Sequence, residues 1–146
     1  MKSPLSNAAY YKEHLRLQPH PEGGHYAEVY RSQHAMDFDG FDGLRNICTS
    51  IFFLLEANEV SALHRIKSDE IWYHQDGDVL EIIELDEIGN EHITRLGKDL
   101  HEGCVLQHVV KAGNWFGARP AKGSAFCLVG CQVSPGFDFR DFELKQ

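Results

Sequence analysis

The stretch Leu63-His64-Arg65-Ile66-Lys67-Ser68-Asp69-Glu70-Ile71-Trp72-Tyr73-His74-Gln75-Asp76-Gly77 decides how this chain is read. It spells His-x-Ile-x3-Glu-x6-Gly, two apolar-alternating runs broken at Lys67-Ser68. Side chains alternate across a strand, so Ala62, His64 and Ile66 share one face. On the returning run Glu70, Trp72 and His74 share another. If the two runs pair and both faces point inward, His64 and Glu70 meet across the ladder. A histidine beside a carboxylate in an apolar lining is an acid–base pair in the making.

The surrounding pattern is that of an all-β chain. One helix is expected over residues 7–17, with Ser6 or Asn7 as its cap and Pro19 after its end. Strands are expected near 25–31, 47–56, 60–66, 70–75, 79–85, 91–95, 105–110, 124–133 and 137–143. Gly, Asn and Asp separate them, as at Asp76-Gly77-Asp78, Gly89-Asn90 and Pro135-Gly136. Short strands at this interval build a sandwich or barrel. The acidic, Gly-containing stretch from Asp37 to Gly43 is the longest loop and is expected to be a lid or a contact surface.

Bulk properties narrow the function. The 146 residues suit one domain, 1–146, with a core of its own. A net charge of −8, from 14 Lys and Arg against 22 Asp and Glu, argues against nucleic acid as a partner. The longest greasy run, Ile51-Phe52-Phe53-Leu54-Leu55, is the length of a strand and not of a membrane span. Met1-Lys2-Ser3-Pro4-Leu5 lacks the apolar core of a signal peptide, so a cytoplasmic location is expected. Cys127 and Cys131 form a C-x3-C pair, but four residues along a strand separates them by roughly 13 Å, too far to share zinc. Cys48 and Cys104 have no partner at ligand spacing, and the thiols are expected to be buried and structural.

A second segment, Leu17-Gln18-Pro19-His20-Pro21-Glu22-Gly23-Gly24-His25-Tyr26-Ala27-Glu28-Val29-Tyr30-Arg31-Ser32, sets a Pro- and Gly-rich turn before a strand. Strict alternation puts Tyr26, Glu28 and Tyr30 on one face, as a hydrogen-bonding wall or a solvent-facing surface. A serine nucleophile at Ser50 is disfavoured by its plain strand context, Thr49-Ser50-Ile51-Phe52. Gly113-Asn114-Trp115-Phe116-Gly117 lacks the ending of a phosphate loop.

These segments, together with Gly130-Cys131-Gln132-Val133-Ser134-Pro135-Gly136-Phe137-Asp138-Phe139, resemble a family of small cupins of unknown function, over about residues 8–144. The resemblance implies a double-stranded β-helix, a jelly-roll cupin barrel of the RmlC-like type, with an interior ligand cavity and pairing as a homodimer. The opening stretch matches the first cupin motif, His-x-His-x3-Glu-x6-Gly, with Ile66 in place of the second histidine. The second motif, Pro-x-Gly-x2-His-x3-Asn, is best matched by Lys111-Ala112-Gly113-Asn114-Trp115-Phe116, with Phe116 at the histidine. Of the usual metal ligands His64 and Glu70 survive, whereas a metal site needs typically three or four convergent donors. His74, on the same face as Glu70 but two residue pairs along it, is a weak third.

The expectation is therefore a small-molecule cavity with no cofactor, holding His64 and Glu70 as the reactive pair. Tyr26, Glu28, Tyr30, Ser50, Ile66, Trp72, His74, Trp115 and Phe116 are its candidate ligand-binding residues. If the protein is an enzyme, the resemblance to metal-free nucleotide-sugar epimerases of this barrel type implies an isomerase or epimerase with His64 as base. The alternatives are a metal-dependent dioxygenase or isomerase using His64 and Glu70, and a non-catalytic ligand sensor or dimeric interaction module.

Overall fold

A computed structural model describes residues 7–146. The readings of Met1–Leu5 and of Ser6 as a cap lie outside the described residues. The expected helix is α1 (Ala8–His14), capped by Asn7, whose Oδ1 accepts the Tyr10 backbone N–H at 2.9 Å. The strands follow in order as β1 (Gln18–Pro19), β2 (His25–Arg31), β3 (Ala35–Asp37), β4 (Leu44–Asn46), β5 (Thr49–Glu56) and β6 (Ser61–Arg65). Then come β7 (Asp69–Gly77), β8 (Leu80–Leu85), β9 (Glu91–Leu96), β10 (Gln107–Val110), β11 (Trp115–Pro120), β12 (Phe126–Ser134) and β13 (Glu143–Leu144). No described helix is long and apolar enough to cross a membrane.

Two antiparallel sheets face each other. One runs β1-β2-β5-β12-β7-β10 and the other β13-β6-β11-β8-β9, with β3 and β4 as a separate hairpin. This is the jelly-roll barrel that the resemblance implied, within the sandwich or barrel that the strand pattern allowed. Its core joins both sheets through Phe53, Trp72, Phe116, Ile82, Leu80 and Val129, all nearly inaccessible to solvent. A smaller cluster seats α1 through Ala8, Tyr11 and Leu15 on Leu54, Phe126 and Leu128, on the outside of the larger sheet.

Three departures from the expected elements matter for the site. First, β6 and β7 do not pair with each other. β6 pairs with β11 and β13, while β7 pairs with β12 and β10. The two-residue break at Lys67-Ser68 reads locally as a hairpin, but the chain uses it to cross between sheets. Second, residues 115–120 form a central strand that the sequence reading passed over, because Gly113, Gly117 and Pro120 masked its apolar alternation. Third, 137–143 is not a strand. Asp138 accepts the Arg140 backbone N–H at 2.9 Å and caps a 3₁₀ turn over Phe139–Asp141, and only Glu143–Leu144 pairs with β6.

The loop between Asp37 and Gly43 closes the β3–β4 hairpin. Arg45 anchors that hairpin by a two-pronged contact to Asp141, Nε to Oδ2 and Nη2 to Oδ1, each 2.8 Å. Both partners are buried, so the hairpin and the C-terminal turn are held as one unit. The four cysteines are free thiols, and Cys127 donates to the Val79 carbonyl at 3.2 Å.

Candidate active site in the barrel cavity

The Pro-His-Pro-Glu-Gly-Gly turn is pressed against the barrel by its two glycines. Gly23 has φ +111°, and a Cβ there would sit 2.0 Å from the Val60 carbonyl oxygen. Gly24 has φ +73°, and its Cβ would meet Leu55 Cδ2 at 2.6 Å and Leu54 O at 2.8 Å. Only glycine permits both the backbone conformation and the close approach. Pressed in this way, Glu22 is clamped to β6 twice. Its carbonyl accepts the Ala62 N–H at 2.8 Å, and its Oε1 accepts the Ser61 hydroxyl at 2.9 Å.

The second carboxylate oxygen of Glu22 meets His64, with Nε2 to Oε2 at 2.9 Å. The other ring nitrogen, Nδ1, lies 2.7 Å from the Ala62 carbonyl. A carbonyl only accepts, so Nδ1 carries a proton, and an ionised Glu22 calls for a second proton on Nε2. Burial works against charge on the His64 ring, yet the hydrogen bond and the charge of Glu22, aided by Glu70, hold its pKa above the ordinary value. Burial likewise opposes ionisation of Glu22, and its bond to His64 outweighs it, leaving its pKa lowered. His64 and Glu22 thus form an imidazolium–carboxylate pair.

Glu70 reaches the same place from the opposite sheet. Burial, then the Glu22 charge, push its pKa up to about 8, against the pull of His64. Its carboxyl faces the Cys131 thiol and the Trp72 indole, although the indole N–H falls short of hydrogen-bond geometry. Burial and the Glu70 and Glu22 carboxyls keep the Cys131 thiol protonated. His20 completes the group. Its Nδ1 accepts the Glu22 backbone N–H at 3.0 Å, and burial lowers its pKa, so its ring is neutral.

These residues form one end of a cavity of about 450 Å³. Tyr26, Glu28 and Arg31 of β2, Thr49, Ile51 and Phe53 of β5, Cys131 and Val133 of β12, and Phe137, Asp138 and Phe139 line the rest. The β2 wall is set by a bulge. Tyr26 pairs with Phe53 and Glu28 with Ile51, but Val29 is skipped, so Tyr30 pairs with Ser50 and Arg31 with Thr49. The extra residue shifts the alternation by one, turning Arg31 inward and Tyr30 outward. Arg31 then donates to Glu28 Oε1 at 2.7 Å, to Asn46 Oδ1 at 2.8 Å and to the Phe137 carbonyl at 3.1 Å.

Of the residues singled out from the sequence, the cavity gathers His64, Glu70, Tyr26 and Glu28. The others lie elsewhere. Tyr30 is 55% exposed because of the bulge, and Ser50 alternates away from Thr49 and Ile51. Ile66, Trp72 and Phe116 are core residues behind the site, with Phe116 packed on the His64 ring at 4.1 Å between centroids. His74 bonds the Asp78 carbonyl through Nε2 at 3.0 Å, away from the cavity. Trp115 lies outside the cavity, with Arg65 at 4.5 Å and Lys145 at 4.9 Å from its ring centre. No residue of the loop from Asp37 to Gly43 lines the cavity.

The sequence reading did not select His20, Glu22 or Arg31. A signal for the first two was present, a histidine and a glutamate braced by two prolines and two glycines. Nothing in the sequence marked the bulge that turns Arg31 inward.

The metal that the cupin motif implies finds a poor donor set here. Ile66 and Phe116 offer no donor atom, and His64 Nε2 is committed to Glu22. Among the described residues no three His, Cys, Asp or Glu side chains are placed to share an ion.

A family model described as "Cupin superfamily (DUF985)" matches residues 10–145. Among solved structures, protein SO0799 from Shewanella oneidensis is 41% identical, covering 97% of this chain and 85% of that one, with a TM-score of 0.88. A hypothetical protein from Leishmania major is 36% identical over 97% of this chain and 88% of that one, with a TM-score of 0.87. An oxalate decarboxylase, OxdC, from Bacillus subtilis is 13% identical, with a TM-score of 0.60. It covers 86% of this chain and 29% of the decarboxylase, a likeness of fold alone. No curated protein matches the chain.

Proposed function

The chain belongs to the DUF985 family of the cupin superfamily, and from that premise we propose that its barrel cavity binds a small polar organic ligand and moves a proton on it without a metal. The reaction class is that of an isomerase or epimerase, on a sugar-like substrate or one of similar size. One observation carries the reading: two carboxyls and an imidazole, Glu22, Glu70 and His64, share the closed end of a cavity large enough for such a molecule.

The sequence alone favoured His64 as the base. With Nδ1 on a carbonyl and Nε2 on Glu22, both ring nitrogens are engaged and neither offers a free lone pair to a ligand. Glu70 is the better proton carrier. A carboxyl that titrates near 8 offers both of its forms close to neutrality. As carboxylate it removes a proton from a carbon acid, the C–H electron pair passing into an enolate. As carboxylic acid it returns that proton to another atom of the same enolate, so the substrate is isomerised and the site ends as it began. The His64–Glu22 pair, net neutral, stands beside it, and Tyr26 orients the ligand. Pairing of two copies as a homodimer is a further expectation from the resemblance, which light scattering tests.

The experiment is native mass spectrometry and elemental analysis of freshly purified protein, beside an Ile51→Trp variant whose indole fills the cavity. A small organic molecule that co-purifies with the wild type and is missing from the folded variant supports the reading. Stoichiometric iron, nickel, manganese or zinc, lost on Glu70→Gln, overturns it in favour of a metal-dependent cupin. Ligand retained by the variant overturns the placement in the cavity.

A further inference from the structure

We propose that the ligand of this cavity is an organic cation, a small amine whose ammonium group sits against Glu70 with its body among the aromatic walls. The inference rests on the reading of the cavity as a small-molecule site and narrows its substrate class.

The charges around Glu70 do not balance. The groups facing Glu70 come from four elements: Glu22 from the turn before β2, His64 from β6, Trp72 from β7 itself and Cys131 from β12. Its paired neighbours on β12 and β10, Val133 and Val110, are apolar. Cys131 and Trp72 bring no charge. The closed end of the cavity therefore holds two carboxyls against one cation, and that cation, His64, is already bonded to Glu22.

Nearer the mouth nothing makes up the difference. Arg31 is paired with Glu28, and Asp138 with Arg140 at 3.0 Å. His20 is neutral, since its Nδ1 accepts a backbone N–H. The barrel end is short of one positive charge, which only a proton on Glu70 or a bound cation supplies.

The walls suit a cation. Tyr26, Phe53, Phe137 and Phe139 line the cavity, and ring faces attract ammonium groups. A charge-assisted bond to a buried carboxylate is among the stronger ones available to an amine. An anionic ligand would face Glu22 and Glu28 with no free cation to receive it. A neutral ligand would leave the proton of Glu70 in place. The three ligand classes thus differ in what binding does to one proton, and a cation releases it.

Three probes of one shape separate these cases: benzylammonium, benzyl alcohol and benzoate, titrated calorimetrically into the full-length protein in buffers of different ionisation heat. Benzylammonium is expected to bind at least about tenfold more tightly than the other two near pH 8.5, and to release close to one proton when titrated near pH 7. Its affinity is expected to fall by up to about tenfold per pH unit below about pH 8, because the Glu70 proton must leave first. Glu70→Gln keeps the shape of the neutral carboxyl, so it should fold, and it should lose both the preference and the proton release. Benzyl alcohol or benzoate binding as tightly as benzylammonium, or benzylammonium binding without proton release, overturns the cation assignment. If the alcohol binds and Ile51→Trp abolishes it, the small-molecule reading stands while the cation falls. If none of the three binds in the cavity, the cation assignment falls, and the wild-type and variant comparison of co-purified ligand decides the broader reading separately.

Discussion

His64 Nε2 lies 2.9 Å from Glu22 Oε2, a bond between a strand of the smaller sheet and a turn that is distant from it in sequence. The pair fixes both the ring and its charge, since Nδ1 is held at the same time by the Ala62 carbonyl. A histidine held in this way differs in kind from a free base.

His64 should therefore stay protonated above the ordinary histidine range. Side-chain NMR across a pH series should find its midpoint raised, and Glu22→Gln should lower it by more than about one unit through loss of the charged partner. The sign for stability follows from the raised folded value. The bond stabilises fully below the unfolded pKa, and that contribution is lost as pH rises through the folded one. A His64 midpoint at the ordinary value, unmoved by Glu22→Gln, would remove the pair from the account.

Glu70 gives a dependence of the same sign, the reverse of that of an ion-paired carboxylate. Its folded pKa, about 8, stands above the unfolded value, so the folded state holds a proton that the unfolded state has released between the two. Stability then falls as pH rises from about 4.5 to about 8, with a limiting slope of about 1.4 kcal/mol per pH unit for one proton. Glu70→Gln, which cannot ionise, should match the wild type near pH 4.5 and exceed it in urea unfolding above pH 8. Equal pH dependence of the two proteins would sink the assignment.

The turn that delivers Glu22 depends on glycine. Gly23→Ala adds a carbon 2.0 Å from the Val60 oxygen and forces a positive φ on a residue that resists it, at a cost of about 3 kcal/mol. The loss should appear in urea unfolding. The ring signals of His64 should also move, because Glu22 hangs from the same turn. A destabilised variant with an unmoved His64 would show that the turn and the pair are independent.

The β2 bulge assigns different fates to two adjacent residues. Arg31→Met should change binding of the cavity ligand at least about fivefold, in favour of a cation through the freed Glu28 carboxylate, and Tyr30→Ala should leave it within about twofold, since the first faces the cavity and the second faces solvent. The reverse order in a binding titration would mean that the bulge is misplaced.

Much of the fold was legible in the chain. Strand β2 was read at its observed bounds, and β5, β6, β8, β9 and β12 to within a residue or two, because alternation and Gly- or Asp-bearing turns are local signals. β11 was missed where two glycines and a proline break that pattern, and the C-terminal segment was misread because aromatic residues suit a capped turn as well as a strand. The site was half legible. His64 and Glu70 stood out by spacing and Tyr26 and Glu28 by alternation, whereas Tyr30, Ser50, His74 and Trp115 share that logic and lie outside the cavity.

By itself the sequence determined the all-β character of the chain, the spacing of His64 and Glu70, and the presence of Ile66 and Phe116 where the cupin motifs carry histidine, because residue type and local spacing carry those facts. Only the tertiary structure decided what His64 and Glu70 form. It sent β6 and β7 into opposite sheets, so that His64 and Glu70 converge across the cavity and not along a ladder. It also brought Glu22 onto His64 and turned Arg31 inward. Those relations depend on close approach between segments far apart in the chain and on one skipped residue in a register, and neither leaves a periodic trace in the sequence.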